Sequence, residues 1–253
     1  MKAKPRILVF QHIAIEHPGI FRDFLDEDGI EWDAIELDKG EPIPALDQYD
    51  ALWVFGGPMD VWEEDQYPWL KPEKSAIREA MEERKLPYLG VCLGHQLLAE
   101  ALGGEVGRCD QPEVGILTVD TTVAGHKSPF LSGLPSTMKC LQWHSAEVKR
   151  PPDGAQVLVS TQRCRVQAMA VGPAALGIQY HVELTPDTVN EWGEVPAYME
   201  ALESELGPNA LPRFAAEADA HMKTFNANTR QLYDNWMAVA FGARSAVKPN
   251  VAR

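Results

Sequence analysis

Hydrophobic positions along the chain change their rhythm about two fifths of the way through. In the first hundred residues short apolar runs alternate with amphipathic stretches. RILVF (6–10) predicts a strand, and GIFRDFLDEDG (19–29) has the spacing of a helix that stops at Gly29. EWDAIEL (31–37) alternates like a half-buried strand, and DALWVFGGP (50–58) reads as a buried strand entering a glycine turn. WLKPEKSAIREAMEERK (69–85) is patterned as an amphipathic helix with Pro72 in its first turn. LPYLGV (86–91) follows as a strand, then a helix from about His95. This repeated strand-helix-strand order predicts an α/β fold: an open, mostly parallel sheet with helices on both faces.

From about Gly115 the segments ILTVDTTV, TMKCLQWH, QVLVST and VQAMAV are short, β-rich and separated by turn residues. LGIQYHVELTP (176–186) returns to the buried-strand type. Beyond about Pro186 the pattern is helical in TPDTVNEW, VPAYMEALESEL and TRQLYDNWMAVAF, and the Leu232, Trp236, Val239 stripe has core spacing. There is no internal repeat and no linker-like tract. One domain with C-terminal helices packed onto it is the simplest organisation.

Composition narrows the partners more than the fold. At 253 residues with 45% hydrophobic and 24% charged positions, the chain can bury a sizeable core. No apolar run approaches the ~20 residues that span a bilayer, and MKAKPRILVF is a better first strand than a signal peptide, so no membrane partner is expected. A net charge of −14 without a dense basic cluster repels phosphate backbones, which argues against nucleic acid. Cys92, Cys109, Cys140 and Cys164 are scattered, with no C-x-x-C, as expected of reduced thiols in a cytoplasmic protein.

Ligands of open α/β sheets bind beyond the carboxyl ends of the strands. Three segments point there: FGGP (55–58), GVCLG (90–94) and YHVE (180–183). GVCLG is the cysteine counterpart of a nucleophile elbow, in which a strained residue between strand and helix forces the chain so close that its flanks must lack a Cβ. Cys92 would then sit at a helix N-terminus, where the dipole favours thiolate. The competing reading is a buried cysteine with incidental glycines. His181 is followed two residues later by Glu183, and in a strand both point to one face, so the carboxylate could orient the imidazole. A lone H-x-E is also common at strand ends. It opens a zinc deaminase signature too, but no P-C-x-x-C follows. Acyl chemistry needs two oxyanion donors, available from the N–H of Leu93 after the cysteine and of Gly57 in the turn before Pro58. An ordinary turn is the alternative for FGGP, and the G-x-x-x-x-G-K-[ST] phosphate loop is absent.

Taken together, FGGP, GVCLGHQ and YHVE resemble the class I (triad) glutamine amidotransferase family, and in particular stand-alone proteins similar to the amidotransferase part of GMP synthase. The resemblance covers roughly residues 5 to 190. It implies a flavodoxin-like, class I amidotransferase domain over 1–190 and a helical C-terminal extension over 191–253 packed on the same domain. It implies a triad of Cys92 (nucleophile), His181 (general base) and Glu183 (orienter), with Gly57 and Leu93 as oxyanion hole. Gln96 matches the family glutamine at the amino-acid end of the substrate. Ser145 and Ala146, in QWHSAEV (142–148), match the segment whose backbone grips the substrate α-groups, although relatives often carry Asp or a larger residue at Ala146. His95 and His144 are read as support, and Cys109, Cys140 and Cys164 as buried small hydrophobes.

The implied reaction is hydrolysis of the glutamine γ-amide through a γ-glutamyl thioester, requiring no metal or organic cofactor. Its ammonia would pass to an unidentified synthase partner, since the S-G-G-x-D-S loop of the GMP synthase ATP-binding half is missing from this chain. A free-standing hydrolase of γ-glutamyl peptides or amines would use the same triad. A third possibility is a thiol stress sensor of DJ-1 type or a non-enzymatic binding module, against which the His181–Glu183 pair stands. The aromatic stretch VWEEDQYPW (61–69) is either a packed loop or the lining of the pocket mouth.

Overall fold

A computed structural model describes residues 4–242. The final residues of the expected C-terminal extension, 243–253, lie outside the described residues. The alternating first half forms β1 (Arg6–Gln11), α1 (Phe21–Asp28), β2 (Glu31–Glu36), β3 (Ala51–Val54), α2 (Leu70–Arg78), β4 (Tyr88–Val91) and α3 (Leu93–Ala101). Gly29 closes α1 in the left-handed conformation, φ 58°, and returns its N–H to the carbonyls of Leu25 and Asp26. Pro72 lies in the first turn of α2, which continues through a π-helical turn at Glu79–Glu83.

The second half adds β5 (Glu105–Thr121), β6 (Thr137–Arg150), β7 (Gln156–Ser160), β8 (Ala168–Val171) and β9 (Ala175–Ile178). The helices α4 (Thr188–Trp192), α5 (Pro196–Leu206) and α6 (Leu211–Phe241) follow. All nine strands join one sheet in the order β2-β1-β3-β4-β9-β8-β7-β5-β6. The pairs from β2 through β9 are parallel, and those from β9 to β6 are antiparallel. The open, helix-covered sheet expected from the sequence is therefore present, lengthened at one side by antiparallel strands. β5 begins ten residues before the expected change of character at Gly115, because residues 105–108 already pair with the far end of β6 across a register break at Arg108/Glu113.

Strand alternation divides the core. Ile7, Val9, Trp53 and Leu89 face α1 and the C-terminal half of α6. Leu8, Phe10, Leu52 and Val54 face α2 and α3. Leu232 and Trp236 bury their side chains against the first face, with Val239 packed alongside. The Trp236 indole stands edge-on to Trp53 at 5.3 Å and donates to the Tyr88 carbonyl at 3.0 Å, which anchors the helical tail beneath β4. A third apolar cluster joins α4, α5 and the start of α6 to Leu141 and Trp143 of β6. It sets α5 at the carboxyl edge of the parallel strands, which matters for the site.

Candidate active site

The four segments that leave the carboxyl ends of β1, β3, β4 and β9 converge. The β4–α3 connection turns at Cys92, whose φ of 51° and ψ of −105° place a non-glycine residue in a conformation costing about 1–3 kcal/mol. The surrounding chain over-determines that turn. The Cys92 N–H donates to the Ile178 carbonyl at 2.8 Å and the Gly94 N–H to that of Phe55 at 3.2 Å. The Tyr88 hydroxyl donates to the Gly94 carbonyl at 2.8 Å. A Cβ on Gly90 would lie 2.6 Å from the Gly94 carbonyl carbon, and one on Gly94 would lie 2.0 Å from the Val54 oxygen. Both glycines flanking the thiol are steric requirements. α3 begins at Leu93, two residues before the expected His95.

His181 reaches the thiol from the other side. The expectation of a continuous strand over 176–186 is corrected here: β9 ends at Ile178, the chain bends, and His181 makes only an isolated bridge to Leu141. Local turning rather than strand alternation brings His181 Nδ1 to 2.8 Å from Glu183 Oε1, while the Val182 N–H donates to Glu183 Oε2 at 2.8 Å. Cys92 lies close enough to the imidazole for its charge to act on the ring. The ring also packs edge-on against Trp192 at 4.3 Å. Burial disfavours the imidazolium, but the charges of Glu183 and Cys92 and the hydrogen bond to Glu183 outweigh it and raise His181 well above its ordinary pKa. Burial raises Cys109 to about 12 and also raises Cys140 and Cys164. Cys109 is not the buried hydrophobe expected: it is half-buried and stands 3.6 Å from His144 Nδ1.

Gly57, Leu93, Gln96, Ser145 and Ala146 all line one cleft with Cys92, of about 160 Å³. Leu93 is the first residue of α3, so its N–H has no partner within the helix. Gly57 is wedged between His12 and Leu93, at 2.9 Å from each for a Cβ placed there. Gln96 is more committed than expected. Its side-chain nitrogen donates to the Ala146 carbonyl at 3.0 Å and to Gln179 Oε1 at 3.1 Å, and Gln179 in turn donates to the Cys92 sulfur at 3.7 Å. His144 Nδ1 bonds the Ala146 carbonyl at 2.9 Å and its Nε2 lies 3.2 Å from Glu113, which holds the 144–146 segment; His95 bonds the Val166 carbonyl at 3.1 Å. Both imidazoles thus support backbone, and burial lowers His95 to about 3.

Several groups here carry no sequence signature. The fully buried pair of His12 and Glu73 is joined at 2.9 Å, and His12 Nδ1 bonds the Gly56 carbonyl at 2.8 Å, fixing the loop that presents Gly57. Glu16, from the loop after β1, is buried and accepts a hydrogen bond from the Tyr198 hydroxyl of α5. One ligand-type atom each from Glu16, His181 and Glu183 fall within 4.8 Å of one another. Within that group His181 Nδ1 and Glu183 Oε1 are already hydrogen-bonded to each other. Asp60 and Tyr198 complete the cleft wall.

A model of the family "Glutamine amidotransferase class-I" matches residues 26–191. The chain belongs to that family. It is 35% identical over 157 residues to one of the subunits of GMP synthase (glutamine-hydrolyzing) from Sulfolobus acidocaldarius, covering 62% of this chain and 78% of that protein. It is 26% identical over 197 residues to gamma-glutamyl peptidase 5 of Arabidopsis thaliana, covering 76% and 77%. The crystal structure of a glutamine amidotransferase from Thermotoga maritima superposes with a TM-score of 0.82 at 28% identity, over 92% of this chain and 98% of that one. Among the described residues no helix is long and apolar enough to cross a membrane.

Proposed function

We propose that this amidotransferase hydrolyses the γ-amide of glutamine through a covalent thioester on Cys92. The observation that carries the reading is the convergence of a strained elbow cysteine with a buried His181–Glu183 pair in one cleft. The Cys92 thiolate attacks the γ-carbonyl carbon, and the carbonyl electron pair moves to oxygen, where the N–H groups of Leu93 and Gly57 receive it. The oxyanion collapses, the C–N bond breaks, and the His181 imidazolium gives its proton to the departing nitrogen, releasing ammonia. Water, deprotonated by His181, then attacks the thioester; the C–S bond breaks and glutamate leaves. Glu183 keeps the imidazole oriented and stabilises its charged form throughout. Gln96 and the 144–146 backbone hold the α-amino and α-carboxylate end. Residues 1–190 would form the catalytic unit and 191–253 an extension upon it, in the cytoplasm, with ammonia passed to a synthase partner.

A specific feature favours a second substrate class, γ-glutamyl peptides. Asp60 lines the cleft and pairs at 3.4 Å with Arg108, whose exposed guanidinium stands 5.9 Å from the Trp62 ring centre. The leaving group of free glutamine is ammonia, which has no use for a cation at the rim. The leaving group of a γ-glutamyl peptide is an amino acid or peptide, whose carboxylate such an arginine can pair. A thiol sensor of DJ-1 type has no need of the His181–Glu183 pair. The test is turnover of glutamine and of γ-glutamyl peptides by purified protein, with labelling by diazo-oxo-norleucine followed by mass spectrometry. Wild-type protein that neither turns over these substrates nor takes the label at Cys92 would sink the reading.

A further inference from the structure

Glu16 is placed where no solvated carboxylate would be. It is 2% exposed, it accepts the Tyr198 hydroxyl hydrogen bond through Oε1, and its Oε2 has no partner among the described residues. That free oxygen backs onto the oxyanion loop, since a Cβ on Gly56 would lie 2.5 Å from it. The loop carrying Glu16 is itself fastened to the triad. The Ile20 N–H donates to the Glu183 carbonyl at 2.9 Å, and Gly19 approaches the same carbonyl so closely that no side chain fits there. Glu16 and Tyr198 both lie outside residues 26–191, the stretch matched by the family model.

We propose that Glu16 is a positioning residue of the catalytic centre, working as a neutral carboxylic acid that docks Tyr198 and helix α5 onto the triad and switches the centre off when it ionises. It rests on the hydrolase reading above, whose chemistry it would tune. A neutral acid accepts from Tyr198 on one oxygen and keeps its proton on the other. Tyr198 lines the cleft with Ala197 and Ala201 of the same helix, so this contact sets the wall that faces substrate.

The charges around Glu16 explain why ionisation would matter. His181 and Glu183 face it from the segment after β9, Tyr198 from α5, and His12 from its own loop with Glu73 of α2 behind; Cys92 lies beyond His181. Desolvation raises the Glu16 carboxyl to about 7, Glu183 adds to that, and His181, Tyr198 and His12 oppose it. When it loses its proton, a second carboxylate joins Glu183 in a water-poor centre, directly behind the loop that must receive the developing oxyanion. Like charge there disfavours the tetrahedral intermediate.

The test compares wild type, Glu16→Gln and Tyr198→Phe in kcat/KM against pH for glutamine and for γ-glutamyl-p-nitroanilide. Alongside it, carbon-13 NMR follows the side-chain carboxyls of glutamate-labelled protein. Wild type should lose activity several-fold as pH rises through about 7, with one carboxyl titrating over the same range. Glu16→Gln keeps the neutral hydrogen-bonding shape, so it should lack both that limb and that signal. Tyr198→Phe removes a bond that favours the ionised form, so it should move the limb to higher pH even if the Gln variant folds poorly. An alkaline limb identical in all three proteins, or no carboxyl titrating above pH ~6, where an ordinary glutamate at about 4.3 has long been ionised, would overturn the proposal. Wild type inactive on both substrates would count against the hydrolase reading alone, while the NMR titration would still decide the state of Glu16.

Discussion

The Cα of Gly94 meets the Val54 carbonyl at a distance that leaves no room for a methyl group, with a Cβ falling 2.0 Å from the oxygen. Gly94 is the second residue of α3 and Val54 ends β3, so this contact ties the elbow to the neighbouring strand. Gly94→Ala must push α3 off β3 and turn Cys92 away from His181. Denaturant unfolding should show a loss of about 3 kcal/mol, toward the upper end for overpacking, and covalent labelling of Cys92 should slow. An alanine variant with unchanged midpoint and labelling rate would show that the elbow does not need this approach.

The elbow was legible because its chemistry is written in local sequence. Glycines at two fixed offsets from a cysteine, between a strand pattern and a helix pattern, suggest a close-packed elbow, and FGGP and YHVE favoured that over a buried cysteine with incidental glycines. The strands of the parallel half were legible for a similar reason, since RILVF and ALWV are short apolar runs, the first preceded by Pro5 and the second followed by the FGGP turn. Other parts were hidden. His181 and Glu183 do meet, but through a bend after Ile178 that hydrophobic periodicity cannot register. Glu16, Gln179 and Tyr198 come from a loop, a bend and a distant helix, and nothing in their neighbours along the chain marks them. Only the folded arrangement gives a buried carboxylate its meaning. The length of β5 was obscured because residues 105–113 are polar and mostly unburied, so they carry no strand alternation.

Glu183→Gln should separate orientation from charge. The amide can still receive the Val182 N–H, but it no longer carries the charge that keeps His181 well above its ordinary pKa. Turnover should fall by roughly 10²–10⁴-fold, the range for a disabled general acid-base group. The His181 ring titration, followed by proton NMR, should move downward. A full loss of turnover with an unmoved histidine titration would assign Glu183 a purely structural part.

Arg108→Gln tests the rim. The guanidinium is exposed and, among the described residues, pairs with Asp60 and stands over the Trp62 face, so its loss should leave folding intact. With a γ-glutamyl dipeptide, KM should rise about tenfold, the cost of one charge-assisted hydrogen bond of about 1.4 kcal/mol. γ-Glutamyl-methylamide, which has no leaving-group carboxylate, should be turned over as before. Equal effects on both substrates would remove the carboxylate-recognition idea and leave the arginine as a loop support.

The proton inventory of the buried centre sets the pH dependence of stability. Glu16 is protonated in the folded chain up to about 7 but ionises at ordinary carboxylate pH when unfolded, so between those values folding takes up a proton. Stability from this group is present at low pH and is lost as pH rises through about 7, by about 1.4 kcal/mol per pH unit for one proton. His12 and His181 act in the same sense: both are raised, so their contribution is complete below 6.5 and disappears as pH rises through the folded values. His95 acts the other way. Lowered to about 3, it favours the folded state above 6.5 and loses that advantage as pH falls. Urea titrations from pH 5 to 9 should therefore show stability declining on the alkaline side. Glu16→Gln should flatten the decline below pH 7 and leave the histidine part above it. If the variant declines with the wild-type slope throughout, Glu16 exchanges no proton on folding and its carboxyl is already ionised at acid pH.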